Sequence, residues 1–118
     1  MQNYRELHVW AKAHELTLEV RKVSGRFPDS GYASLKSQLV RAAESVPINI
    51  AEGCGAATRR EFARFLDISI KSSSELQYEL RLARDYELLS RDGWGELDKE
   101  IVSVRRMLCK LRARVLGN

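Results

Sequence analysis

Apolar residues recur at spacings of three and four along most of the chain, which is the period of an amphipathic α-helix. Turn-forming residues interrupt this pattern at three places, 27–31, 53–55 and 90–95. No stretch alternates apolar and polar residues between tight turns in the manner of a half-buried strand. Three interruptions leave four helices. The pattern therefore predicts an all-α fold, an antiparallel up-down-up-down four-helix bundle.

Each predicted helix has one apolar stripe, and together the stripes form the predicted core. The first helix is expected from about Tyr4 to Gly25, the second from about Ser34 to Glu52 and the fourth from about Gly95 to Leu116. The third begins with a capping box, in which Thr58 and Glu61 satisfy each other's amides. The stripes comprise Val9, Ala13, Leu16, Val20, Val23 and Phe27; Leu35, Leu39, Ala42, Val46 and Ile50; Phe62, Phe65, Leu66, Ser69, Ser73, Leu76, Leu80 and Ala83; and Leu97, Ile101, Val104, Leu108, Leu111 and Val115.

A proline lies inside the second helix rather than at its end. Pro47 has no N–H, and its ring collides with the carbonyl four residues earlier, so a kink is expected between Ala43 and Pro47. A polar line runs beside the apolar stripe at the same spacing. It is either an ordinary boundary or a hydrogen-bond network or ligand-facing groove in which Arg41, Asn49 and Glu52 satisfy one another. The line consists of Gln38, Arg41, Ser45, Asn49 and Glu52.

The first helix has apolar residues beyond its core stripe. Together they cover more of the helix circumference than the arc of roughly 100° that faces the core of a monomeric bundle. The additional residues either pack against a neighbouring helix of the same chain or form a subunit interface. We consider them candidates for an oligomer interface: Leu7, Trp10, Ala11, His14 and Leu18.

Basic residues concentrate in two helical segments. Twenty Lys and Arg residues against sixteen Asp and Glu residues give a net charge of +4, which is compatible with an anionic partner. The first-turn arginines of the third helix oppose the helix macrodipole, whereas the cations ending the fourth helix are favoured by it. Both groups are candidates for nucleic-acid binding: Arg59, Arg60, Arg64 and Lys71, and Arg105, Arg106, Lys110, Arg112 and Arg114.

Several kinds of chemistry find no support in the sequence. The two histidines, His8 and His14, have no metal-ligand spacing, and the Gly53–Gly55 segment lacks the spacing of a phosphate-binding loop. Cys54 and Cys109 form no CxxC pair, so both are expected to be buried free thiols. No signal peptide or membrane span is recognisable. We therefore expect a single domain over residues 1–118 that is cytoplasmic and not an enzyme, without metal or cofactor.

One segment is more specific than any of these patterns. Ser45-Val46-Pro47-Ile48-Asn49-Ile50-Ala51-Glu52-Gly53, followed by Glu61-Phe62-Ala63-Arg64-Phe65-Leu66, resembles a bacterial four-helix bundle family encoded within intervening sequences of 23S ribosomal RNA genes. The resemblance extends over nearly the whole chain and includes Leu7-His8-Val9-Trp10-Ala11-Lys12-Ala13.

The resemblance implies a homo-oligomeric ring of five subunits. It also implies kinship with accessory proteins of diversity-generating retroelements, which are basic bundles that bind reverse transcriptase and nucleic acid. Our leading hypothesis is a non-enzymatic oligomer whose basic surface contacts RNA or another nucleic acid. The alternative is an oligomeric scaffold that presents the polar line to a partner protein or small ligand, with the net charge serving only solubility.

Overall fold

The computed structural model describes residues 2–117, which form four α-helices after a short 3-10 helix at Tyr4–Glu6. The helices are α1 (His8–Ser24), α2 (Ala33–Cys54), α3 (Arg59–Asp85) and α4 (Arg91–Val115). They pack as an up-down-up-down bundle with extents of 45 × 22 × 20 Å. Residues 2–117 contain no strand, so the predicted fold class is confirmed.

The four predicted stripes form the core. Every stripe residue is buried except Val23, Phe62, Phe65 and Val115, which are half-buried. Ser69 lies in this core because its hydroxyl donates to the Val46 carbonyl of α2 at 2.9 Å, which satisfies a group that is costly to bury alone. Among the described residues, no helix is both long and apolar enough to span a bilayer.

The start of α4 differs from the sequence-based expectation, which placed a turn over residues 90–95. Ser90 is instead the N-cap, and its hydroxyl accepts from the Gly93 amide at 3.0 Å. Asp92 in the first turn adds favourable charge at the positive helix terminus. These capping interactions offset the helix penalty of about 1 kcal/mol that each glycine carries, so Gly93 and Gly95 lie inside α4.

The end of α2 also extends further than predicted, through Cys54. Gly53 is therefore helical and lies where α2 meets the side chains of Phe62 and Phe65 at the start of α3. The absence of a side chain at Gly53 permits this close approach. The break between α2 and α3 therefore covers residues 55–58 rather than starting at Gly53, with Gly55 as the C-cap of α2.

Candidate nucleic-acid interface

The basic residues of α3 and α4 come together because these helices run antiparallel. Asp67, early in α3, pairs with Arg112 late in α4. Arg84, late in α3, lies with its guanidinium 4.4 Å from the ring centroid of Trp94, early in α4. The first half of α3 is therefore beside the second half of α4. All nine predicted nucleic-acid-binding residues, at 59–71 and 105–114, lie in these two halves.

Two of the nine residues are engaged in contacts between the helices. Arg105 donates through Nη1 to Gln77 Oε1 at 2.8 Å, and Gln77 Nε2 donates to Asp98 Oδ1 at 2.9 Å. The guanidinium of Arg112 donates to the carboxylate of Asp67. The sequence of α4 has no acid between residues 105 and 114, but the fold supplies one from α3. Arg105 and Arg112 therefore stabilise the α3–α4 contact as well as adding charge.

The other seven residues are exposed and make no ion pair within 4.0 Å in the described chain. Arg59 and Arg60 follow the Thr58 cap, whose hydroxyl accepts from the Glu61 amide at 3.1 Å as predicted. Cations in this first turn cost a few tenths of a kcal/mol or more, so helix stability does not account for them. We call the seven residues the basic end: Arg59, Arg60, Arg64, Lys71, Arg106, Lys110 and Arg114.

Only the centre of the polar line of α2, Ser45 and Asn49, takes part in a hydrogen-bond network, and this network joins α2 to α3. Asn49 Nδ2 donates to the Ser45 carbonyl at 2.8 Å and to Ser45 Oγ at 3.1 Å. Ser45 Oγ lies 2.7 Å from Ser72 Oγ on α3, and one hydroxyl donates to the other. No hydrogen bond joins Asn49 to Arg41 or Glu52 in the described chain, so the predicted mutual satisfaction of these three residues is wrong. The partner that satisfies Ser45 is on another helix, which the spacing within α2 does not reveal.

Gln38, Arg41 and Glu52, the remaining members of the polar line, are exposed. Gln38 Nε2 donates to Ser34 Oγ at 3.2 Å, one turn earlier in the same helix. These side chains are therefore a solvated edge of α2 on either side of the serine and asparagine network.

The surplus apolar sector of α1 is divided between packing and exposure. Trp10 is half-buried and packs against the core, with the Tyr4 ring edge-on at 4.8 Å and the His14 ring stacked at 5.1 Å between centroids. Leu7 and Ala11 are also half-buried. In contrast, 56% of Leu18 is exposed. Packing within the chain therefore covers the first part of this sector and leaves the part around Leu18 open.

An exposed isoleucine on α2 lies outside the predicted apolar stripe and was not among the predicted interface residues. Ile48 is 54% exposed and follows Ser45 by three residues, so it belongs to the polar side of α2. The contacts of α2 with α3 set the two helices in register and place Ile48 level with Ile68, which is 39% exposed. An apolar residue off the buried stripe is the sequence signal that identifies such a position.

The two cysteines have different environments. Cys54 is buried as predicted, and burial raises the pKa of its thiol, which favours the unreactive protonated form. Cys109 is exposed, so its predicted burial is wrong. It follows the buried Leu108 by one residue, and the 100° turn of a helix carries it off the apolar stripe. The described residues contain no group of three or more His, Cys, Asp or Glu side chains able to hold a metal ion.

Glu79 on α3 has an unusual carboxyl group. Its Oε1 atom is shielded from solvent and has no hydrogen-bond partner in the described chain. Burial, and to a smaller extent the charge of Glu75 one turn earlier, raises the pKa of Glu79 from 4.5 to about 7. Near neutral pH this residue therefore binds a proton more readily in the folded than in the unfolded chain.

The raised pKa of Glu79 predicts a pH dependence of stability. Its contribution is fully present below about pH 4.5 and is lost as the pH rises through about 7, because ionisation is unfavourable in the folded state. Glu79→Gln should stabilise the protein at pH 8 by about 1 kcal/mol after solvent screening, and by nothing near pH 4. Urea denaturation across this range measures the difference. Glu75→Gln, the control, should retain the pH dependence at a lower midpoint, and a pH-independent effect of Glu79→Gln would contradict the assignment.

Comparison with known proteins agrees with the fold. A crystal structure of a protein of unknown function from the S23 ribosomal protein family of Bacteroides thetaiotaomicron VPI-5482 superposes with a TM-score of 0.83 at 21% sequence identity, covering 88% of this chain and 94% of that one. No protein of curated function matches the sequence. The profile of the 23S rRNA-intervening sequence protein family matches residues 5–110. With its four helices and this match over most of its length, the chain belongs to the 23S rRNA-intervening sequence protein family.

Proposed function

We propose that the protein is a non-enzymatic, homo-oligomeric module that binds RNA through its basic end. The observation that carries the proposal is the placement of seven exposed cations on adjoining halves of α3 and α4. Two of them, Arg59 and Arg60, lie at a helix terminus where local electrostatics disfavours them. A ligand rich in phosphates would compensate this cost.

The cations of the basic end favour recognition of the RNA sugar-phosphate backbone over recognition of its bases. Arginine and lysine side chains neutralise phosphates and release counterions, which supplies affinity without reading sequence. Reading single-stranded RNA requires aromatic side chains on which bases stack. Tyr78 is the exposed aromatic residue of α3, and it lies two turns beyond Lys71. We therefore expect binding that varies little with RNA sequence and strongly with salt.

Charge reversal tests the proposal. Arg59→Glu with Arg60→Glu should weaken binding of a fluorescein-labelled 20-nucleotide RNA by about tenfold at moderate salt and make the salt dependence shallower. Fluorescence anisotropy between 50 and 300 mM KCl measures both quantities. Glutamate in the first turn of α3 is favoured by the macrodipole, so unfolding is not expected to cause the loss.

The matched control reverses two exposed cations at the opposite end of the bundle, Lys22→Glu with Arg26→Glu. It changes the net charge equally and should alter affinity by less than twofold. Equal losses in both variants, or binding that is insensitive to salt, would reject RNA binding by the basic end. Unchanged RNA retention in the Arg59 and Arg60 variant would favour the protein-binding scaffold.

The oligomeric part of the proposal is supported by two exposed aliphatic side chains, Leu18 and Ile48, each with more than half of its area in water. Unlike the exposed Tyr78, neither has a polar atom that water can satisfy, and a subunit contact would remove both from water. They lie on adjacent helices, since Thr17, next to Leu18, contacts the Ala43 carbonyl of α2. The ring of five subunits implied by the family resemblance is the assembly we propose.

Leu18→Glu should lower the oligomer mass while leaving helical content largely unchanged, because the side chain is exposed within one subunit. Trp10→Ala should act in the same direction. Light scattering measures mass, and circular dichroism measures helicity. Tyr78→Glu is the control, since Tyr78 is 61% exposed on a different helix. An unchanged mass for Leu18→Glu would refute this interface.

A further inference from the structure

A cleft lies between α3 and α4 directly beyond the basic end, in the second half of α3 and the first half of α4. Its volume is about 420 Å³. Four residues of α3 and two of α4 line it: Ser74, Gln77, Tyr78 and Arg81, and Trp94 and Asp98. Tyr78 is 61% exposed, the highest fraction for a large hydrophobic residue of the described chain. The cleft therefore has an aromatic wall that is open to solvent.

Tyr78 continues the line of cations on the outer side of α3. Arg64, Lys71 and Tyr78 follow one another at intervals of seven residues, which is two helical turns and about 10.5 Å of helix length. Side chains at this interval lie on the same side of a helix. An RNA backbone held by Arg64 and Lys71 therefore reaches the ring of Tyr78 as it continues along α3.

The acidic residue of the cleft is already engaged within the chain. Asp98 Oδ1 accepts from Gln77 Nε2 at 2.9 Å, and Gln77 Oε1 accepts from Arg105 Nη1 at 2.8 Å. Asp98 is thus connected through Gln77 to a cation, which reduces its repulsion of a nearby phosphate. The carboxylate does not bar a nucleotide from the cleft.

The two aromatic rings of the cleft differ in what they contact. The guanidinium of Arg84 lies over the ring of Trp94, 4.4 Å from its centroid. No aromatic ring or guanidinium of the described chain stacks on Tyr78. Arg81, one turn beyond Tyr78, makes an exposed ion pair with Asp85 at 3.9 Å, and such pairs contribute little. Tyr78 and Arg81 are therefore free to contact a planar group from its two faces.

We propose that this cleft binds an unpaired base of single-stranded RNA, stacked on the ring of Tyr78 and covered by the guanidinium of Arg81. Bases of any identity stack on aromatic rings and arginine planes, so the contact adds affinity without reading sequence. A base inside a duplex is paired and stacked on its neighbours, and it is not available to Tyr78. The proposal rests on RNA binding by the basic end and adds the class of ligand, RNA with unpaired bases.

Tyr78→Ala tests the stacking contact. The two fluorescein-labelled probes are a 20-nucleotide RNA without self-complementarity and the duplex of the same sequence, and fluorescence anisotropy at 100 mM KCl measures both affinities. Tyr78→Ala should weaken binding of the single strand by about tenfold, as the loss of one base–aromatic stack does, and binding of the duplex by less than twofold. Tyr78→Phe retains the ring and should bind the single strand within twofold of the wild type.

Tyr86→Ala is the matched control. Tyr86 is 51% exposed at the end of α3, beside Tyr32 and outside the cleft. Its substitution should change the affinity for either probe by less than twofold. None of these variants removes a charge, so the salt dependence of binding should equal that of the wild type. Circular dichroism verifies that all variants are folded.

The outcomes distinguish the stacking site from RNA binding itself. Arg59→Glu with Arg60→Glu should weaken binding of both probes, since it removes phosphate contacts. If it does so while Tyr78→Ala weakens neither, the basic end binds RNA and the stacking site is wrong. Equal losses for single strand and duplex in Tyr78→Ala, or an equal loss in Tyr78→Phe, would also overturn the stacking site. A wild type that binds neither probe would reject both proposals.

Discussion

Gly53→Ala should destabilise the protein by about 1–3 kcal/mol, even though alanine is the better helix former. A Cβ atom at Gly53 would lie 2.7 Å from Phe62 Cδ1 and 3.2 Å from Phe65 Cβ. The second atom is bonded directly to the backbone of α3, so relief requires α2 and α3 to move apart. Their contact also holds the serines that join the two helices, which makes separation costly.

Gly95→Ala is the matched control because Gly95 is also helical, but a Cβ atom there would approach no atom of another helix within 4 Å. This substitution should be neutral or stabilise by up to about 1 kcal/mol. Urea denaturation measures both effects. Phe62→Leu in the Gly53→Ala background should recover part of the loss, because it removes the ring that the methyl group meets. Stability of Gly53→Ala equal to that of Gly95→Ala would show that the α2–α3 contact is more adaptable than its geometry indicates.

Thr17→Val should cost about 1–2 kcal/mol through the loss of a hydrogen bond. Pro47 has no N–H for the Ala43 carbonyl, which is its normal helical acceptor four residues earlier. The hydroxyl of Thr17 lies 3.0 Å from that carbonyl and 2.8 Å from its own Ala13 carbonyl, so its single proton is shared. α1 therefore replaces part of what the proline removes from α2, and helix α2 continues through Pro47. The bend expected there stays a prediction.

A double-mutant cycle identifies this mechanism. Pro47→Ala restores an N–H that donates to Ala43, so Thr17→Val should cost at least about 0.5 kcal/mol less in that background than in the wild type. Thr17→Ser retains the hydroxyl and controls for altered packing. Urea denaturation of the variants yields the coupling free energy. Additive effects of Thr17→Val and Pro47→Ala would mean that the hydroxyl does not compensate for the proline.

Helix periodicity was sufficient for the core because one face of each helix is buried along most of its length. The stripes from Val9 to Phe27 and from Leu97 to Leu111 required only local spacing. The ends of the helices were harder to predict, because each end depends on the capping interactions of one or two residues. The hydrogen bond from the Gly93 amide to the Ser90 hydroxyl, together with Asp92, lets α4 begin at Arg91 despite its two glycines. Counting turn-forming residues in the sequence does not reveal this hydrogen bond.

The candidate site was predictable in composition but not in geometry. The sequence shows nine cations in two segments, yet the pairing of Arg112 with Asp67 joins residues 45 positions apart. Ser45 and Ser72, whose hydroxyls form a hydrogen bond, are likewise far apart in the sequence. The facing of glutamates of α1 by glutamates of α4 was not predicted either, because these two helices lie at opposite ends of the chain.

The sequence by itself determined the four helices, their buried stripes and the concentration of basic residues, because each depends on spacing within one helix or on composition. Tertiary structure alone decided which cations stay free, which polar residues of α2 find partners, and where glutamates of α1 face glutamates of α4. Packing sets these outcomes because it selects the register between antiparallel helices. That register brings residues far apart in the chain within hydrogen-bonding distance, and no periodicity within one helix encodes it.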